Sequence, residues 1–139
     1  MSPQDFFRNF RADRLDLVEA FYDPKIHFVD PLGEHHGVEA MKSYYSRLYE
    51  NLKEIEFEFQ DEWTKDFESL LFWRMRVIHP RLNRGKEVSL EGLSHFRFSR
   101  ESKLCLYHRD YFDAGAFLYE QLPILGGIIR KLKQVARGQ

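Results

Sequence analysis

Residues 28–45, FVDPLGEHHGVEAMKSYY, change their structural signal twice within one stretch. Joined to the residues before it, KIHFVD is a short apolar run ending on Asp30 and predicts a strand. PLGEHHG then turns the chain on a proline and two glycines. From Val38 the apolar positions Met41, Tyr44, Tyr45, Leu48 and Leu52 recur at helical spacing, so residues 38–52 read as an amphipathic helix. An acid therefore stands at a strand end, just where the backbone turns. Asp30 can cap that turn, ligate a metal, or carry a proton facing a pocket.

The elements on either side decide the class. Ser2-Pro3 followed by Asp5 predicts a helix start, with Phe6, Phe7 and Phe10 covering one side. Asp13, with Asp16 three residues on, opens a second short helix through Leu17, Val18 and Phe21 that Asp23-Pro24 stops. Downstream the period changes to two. EIEFEFQDEW sets Glu54, Glu56 and Glu58 against Ile55, Phe57 and Phe59, a strand with one wet face. FESLLFWRMRVI, KEVSLEGLSHFRF and LCLYHRDYF are further strands, joined by the turns HPRLNRG and SRESK. Short turns between neighbours imply an antiparallel meander. Helices first and strands after give an α+β class: four long strands and the short 25–30 strand, over three N-terminal helices.

Composition bounds the function. At 139 residues the chain is one domain, expected as a unit over 1–113 with residues 114–139 as its C-terminal helical extension. Hydrophobic residues make up 43% and charged residues 31%, with no apolar run long enough to span a bilayer. MSPQDFFRNF has neither an apolar signal core nor a cleavage site, and Cys105 is the only cysteine; a cytoplasmic, reducing setting is expected. A net charge of −1, without a basic-aromatic RNA signature or a glycine-rich phosphate loop, predicts no nucleic-acid partner. Aromatic residues reach 16% of the chain, and thirteen are Phe. That many rings need a large interior, or they line a cavity.

The C-terminal segment differs. Leu122, Leu125, Ile128, Ile129, Leu132 and Val135 form a stripe, with Arg130, Lys131, Lys133 and Arg137 off it and Glu120 the one acid after Ala114. Pro123 breaks a helix beginning near Ala114, so residues 124–136 are expected as a separate short helix. Its stripe is expected to cover protein, with a weak contact to an anionic membrane surface as the alternative. Apolar surface beyond what one small domain buries also predicts a homodimer.

This order of elements resembles the SnoaL-like branch of the nuclear-transport-factor-two-like superfamily, which includes polyketide cyclases, ketosteroid isomerase, scytalone dehydratase and limonene epoxide hydrolase. FVDPLGEHHGVEAMKSYY is similar to the isomerase segment in which an acid, a Pro and a Gly precede a helix ending in aromatics. KLCLYHRDYFD is similar to the last strand of SnoaL-like proteins. The resemblance covers residues 5–113 and implies a cone: a strongly curved antiparallel sheet wrapped around the N-terminal helices, with a central pocket. It also implies that Asp30 is a general base whose pKa rises toward neutrality in an apolar cone. The isomerase's enolate-holding Tyr and Asp fall on Phe6 and Ser94, so its oxyanion hole is not retained. The hydrolase's acid falls on Asp110, but its Arg and second acid are met only by Arg74 and Arg76 of RMR.

Strand parity limits what faces the pocket together. On the last strand Leu106, His108, Asp110 and Phe112 share one face; Cys105, Tyr107, Arg109 and Tyr111 share the other, unless a bulge shifts the parity. With the first set inward, His108 and Asp110 join Asp30 as a catalytic proton-transfer group. With the second inward, Tyr107, Arg109 and Tyr111 line a pocket for an anionic or carbonyl ligand. The hydrolase resemblance favours the first set and the isomerase resemblance the second. The first is taken for catalysis, and Tyr45, Trp73, Ser94, Tyr107, Arg109 and Tyr111 are the candidate ligand contacts.

No metal or organic cofactor is expected. His35 and His36 point opposite ways on an extended segment, and with His27 they read as solvated turn residues. Glu91 and His95 share a strand face and can pair; Trp63 reads as core, and Cys105 as inert. The expected function is binding of a small apolar ligand, with isomerase, cyclase or hydratase chemistry on a carbonyl-bearing substrate. The alternative is a non-catalytic ligand-binding or protein-interaction module using the same pocket.

Overall fold

A computed structural model of the chain describes residues 1–117 and 125–138. Its helices are α1 (Pro3–Asn9), α2 (Asp16–Phe21), α3 (Val38–Tyr49), α4 (Ala114–Phe117) and α5 (Leu125–Ala136). Its strands are β1 (Tyr22–Asp30), β2 (Gly33–His36), β3 (Glu54–Lys65), β4 (Glu68–Ile78), β5 (Val88–Phe98) and β6 (Cys105–Phe112). The first helix starts on a capping box: the Asp5 amide donates to Ser2 Oγ at 3.1 Å, and the Ser2 amide donates to the Asp5 carboxylate at 3.3 Å. α3 ends at Tyr49, short of Leu52, because Asn51 takes a left-handed φ of 59°.

The fold is α+β, with one open sheet in the order β2-β1-β6-β5-β4-β3. β3 to β6 form the expected antiparallel meander, but β1 lies parallel to β6, so the sheet is mixed. The chain leaves β1 through β2 and α3 before the meander begins, a crossover long enough to bring β1 beside β6 in the parallel sense. PLGEHHG is more than a turn. Pro31 and Leu32 alone reverse the chain, and Gly33–His36 pair with Asp30–His27 as β2.

The helices cover the inner face of this sheet, and there most of the phenylalanines go. Phe6, Phe10, Phe21, Tyr22, Phe28 and Phe96 are all at or below 1% exposed. Phe6 stacks on Phe21 at 4.7 Å and meets Tyr22 edge-on at 5.5 Å. Each such ring contributes roughly 1.5–3 kcal/mol on burial, which is why three short helices hold to the sheet. Two bulges alter the expected parity. A register shift between Phe59 and Glu62 turns Trp63 to the outer face, where it is 66% exposed instead of core. Another, between Arg97 and Phe98, brings Cys105 into the core. Its thiol donates to the Tyr107 carbonyl at 3.2 Å and burial pushes its pKa up, in keeping with an inert cysteine.

The expected break at Pro123 lies outside the described residues. α5 leaves most of its stripe outside the protomer: Ile128, Leu132 and Val135 are 53%, 63% and 65% exposed, while Ile129 is half-buried beside Gly115. Lys133 Nζ reaches Asp113 Oδ2 at 2.6 Å. No helix among the described residues is long and apolar enough to cross a membrane.

Candidate active site

Three neighbouring strands deliver inward side chains to one point. Trp73 of β4 is opposite Gly92 of β5, and Ser94 of β5 is opposite Asp110 of β6. Gly92 is where the strand must lack a side chain, because a Cβ there would lie 2.2 Å from the Trp73 ring. The indole lies across that gap and donates from Nε1 to Ser94 Oγ at 2.9 Å. Since an indole N–H only donates, the Ser94 hydroxyl sends its own proton onward to Asp110 Oδ1, at 2.5 Å.

His108 meets the same carboxylate oxygen, with Nε2 at 2.6 Å. An ionised Asp110 accepts only, so Nε2 carries the proton, and in the neutral ring Nδ1 accepts. Tyr22 Oη is 2.8 Å from Nδ1 and 2.7 Å from Tyr45 Oη. A hydrogen-bonded chain therefore runs Tyr45, Tyr22, His108, Asp110, every donor pointing toward the acid. Burial pushes the Tyr22 and Tyr45 hydroxyls well above the usual tyrosine value, so both stay protonated and can donate. Asp110 Oδ2 has no hydrogen-bond partner among the described residues.

Asp110 belongs to the wall of a cavity of about 340 Å³. Tyr45, Trp73, Ser94 and Asp110 line it, together with Phe7, Tyr44, Phe57 and Phe59. Asp110 is the sole acid among the described lining residues. Arg47 and Arg81 also line it while exposed to solvent, and His79 sits with them half-buried, so the mouth is basic.

Asp30 is placed differently. Its Oδ1 accepts the Leu32 and Gly33 amides at 2.8 and 3.0 Å, capping the β1–β2 turn. Its Oδ2 accepts from Tyr44 Oη at 3.3 Å. Burial is the main cause that pushes the Tyr44 hydroxyl up, with the charges of Asp110 and Asp30 adding to it. Asp30 thus touches a wall residue rather than the cavity, and only His108 and Asp110 of the expected trio meet directly.

Residues 4–107 match the SnoaL-like domain. The chain belongs to the SnoaL-like family. No curated protein matches its sequence. Among solved structures, an NTF2-like protein of unknown function from Burkholderia pseudomallei has a TM-score of 0.68 at 17% identity, over 79% of this chain and 86% of that one. TerC co-crystallised with polyporic acid gives 0.68 at 15% identity, over 80% and 88%. An LEH-like epoxide hydrolase from M. tuberculosis gives 0.67 at 14% identity, over 98% and 92%. At these identities the likeness shows the fold.

Within this SnoaL-like fold, Tyr107, Arg109 and Tyr111 are not cavity residues. The β6 parity that turns Asp110 inward turns all three to the outer face, where Arg97 lies over Tyr107 and Arg109 over Tyr111, each at 4.9 Å. Arg74 and Arg76 are outward too: Arg74 pairs with Glu91, and Arg76 with Glu54, Glu56 and Glu87. His95 pairs with Glu68 at 3.0 Å and not with Glu91, which stands four residues along the same strand, about 13 Å away, and pairs with Arg74. Sequence reasoning missed Tyr22, Tyr44 and Gly92 as parts of the site. The glycine inside a period-two strand was the one available signal, since such a glycine marks a close approach.

Proposed function

We propose that this SnoaL-like protein binds a small apolar, carbonyl-bearing molecule and moves a proton on it with Asp110. The observation that carries this is the half-used carboxylate. Oδ1 is fixed by Ser94 and His108, Oδ2 takes no hydrogen bond from the described residues, and the residue lines an aromatic cavity with no second acid among the described residues of its wall. A carboxylate so held can take a proton from carbon next to a ligand carbonyl through Oδ2. Returning that proton to another carbon of the conjugated carbanion isomerises the ligand; letting the carbanion attack a second carbonyl of the ligand closes a ring, and the alkoxide formed takes the proton back from Asp110. Neither route needs a cofactor. The Tyr45–Tyr22–His108 chain is a positioning device: it ends on Asp110 Oδ1 and holds the carboxylate's orientation. Arg47, Arg81 and His79 at the mouth suit an anionic group on the outer end of the ligand. A protein of the same fold co-crystallised with polyporic acid is in keeping with small-molecule binding.

The place of Asp30 in the turn favours a second reading, a pocket that binds without turnover, because the base expected there is committed to backbone amides. Deuterium exchange next to the carbonyl of a panel of aryl β-keto esters, followed by NMR, separates the two. The wild type is expected to speed exchange, and Asp110→Asn to lose about 10²–10⁴-fold of that acceleration while still binding by calorimetry. Binding in both proteins with exchange in neither would select the binding module.

A further inference from the structure

The β1–β2 hairpin carries a second constellation on the face opposite the cavity. His27 and His36 are direct partners in the antiparallel register. Glu34, two residues before His36, shares its face. The two imidazoles stack with centroids 4.3 Å apart and planes 11° from parallel. Glu34 Oε2 lies 2.8 Å from His27 Nε2 and 3.9 Å from His36 Nε2. All three ligand atoms fall within 4.8 Å of one another.

We propose that His27, Glu34 and His36 form a binding site for a divalent transition metal of the zinc type, with two imidazole nitrogens and one carboxylate oxygen as ligands. Ligands held about 2.0–2.2 Å from a tetrahedral Zn²⁺ stand roughly 3.4 Å from each other. The two separations from Glu34 bracket that value, and closure needs the stacked imidazoles to tilt toward each other, which their half-exposed and exposed side chains leave room for. Imidazole with carboxylate selects zinc, copper or nickel over magnesium and calcium, which demand oxygen shells. The fourth position opens to solvent.

The expectation of no metal is revised by topology. His35 and His36 do point opposite ways, with His35 turned in against Phe28 and Tyr44. The partner of His36 is instead across the hairpin, which appears only once PLGEHHG is seen to contain a strand. An ion there would tie β2 to β1 on either side of the turn that Asp30 caps. That turn carries Leu32, which lines the cavity, so the metal would stiffen one edge of the mouth.

Calorimetric titration of the untagged, chelator-treated chain with Zn²⁺ alone, paired with thermal melts, tests the site. One ion per chain and a higher Tm are expected. His36→Ala should weaken binding by roughly tenfold to a hundredfold or more and abolish the Tm rise. Its side chain is 68% exposed, so the variant should keep the wild-type circular dichroism spectrum. His95→Ala, which removes the other histidine–acid pair of the outer face, should leave affinity unchanged. Absence of saturable Zn²⁺ binding, equal binding by His36→Ala, or loss in His95→Ala instead would each overturn the assignment.

Discussion

Replacing Gly92 by alanine tests how the cavity carboxylate is held. The new Cβ would lie 2.2, 2.3 and 2.8 Å from Cη2, Cζ2 and Cζ3 of Trp73. Ordinary carbon contact begins near about 3.5 Å, so the indole has to retreat by more than an ångström. It pivots about its own Cβ, and Nε1 then leaves Ser94, which it now reaches at 2.9 Å. Overpacking costs about 1–3 kcal/mol, and a buried N–H left without its partner about 1–3 kcal/mol. The sum is roughly 2–6 kcal/mol, a fall in Tm on the order of 10 °C for a domain of this size. Urea denaturation and calorimetry read it directly. Ser94→Ala is the companion variant: it removes the acceptor without the overlap and should cost less. A Gly92→Ala protein within about 0.5 kcal/mol of wild type, with unchanged tryptophan fluorescence, would refute the placement of the indole and of Ser94 behind Asp110.

Tyr22→Phe leaves His108 Nδ1 buried without a donor, so it should cost about 1–3 kcal/mol in urea denaturation; a neutral result would break the chain from Tyr45. Asp23 is held below its ordinary value of 3.8, first by the Lys25 amide and then by Ser102. Because its folded pKa is depressed, its contribution is present above that ordinary value and lost as pH falls through the folded one. Acid denaturation curves of wild type and Asp23→Asn should therefore converge at low pH and separate above it. Trp63, Phe72, Leu93 and Tyr111 form an outer-face strip across four strands, and α5 leaves most of its stripe exposed. We expect sedimentation equilibrium to give two protomers at micromolar concentration, and Trp63→Glu one; a single-protomer mass for wild type would contradict this.

Periodicity carried most of the fold. The change from helical spacing in α3 to strict alternation in β3 placed both elements and the class with them. What alternation cannot show is the far side of a contact. One strand alone does not say which of its faces is inward, so Tyr107, Arg109 and Tyr111 stood beside His108 and Asp110 until β5 and β1 were in place. The bulge that turns Trp63 outward depends on pairing with β4 and leaves no mark in β3 itself. Tyr22 and His108 are 86 positions apart, and nothing local to either announces the hydrogen bond. Asp30 was legible as a strand-end acid, and its turn-capping geometry follows from that position. Its separation from the cavity does not, because the interposed Tyr44 looked like one more member of a helical stripe.

The two carboxylates offer the most direct test of the account. Asp110→Asn and Asp30→Asn change one atom each at acids with different partners. The measurement is the rate of deuterium exchange into a bound β-keto ester for both variants, at equal occupancy. The account predicts that Asp110→Asn loses about 10²–10⁴-fold, while Asp30→Asn stays near the wild-type rate and loses only some hairpin stability. Exchange that survives in Asp110→Asn and disappears in Asp30→Asn would contradict it.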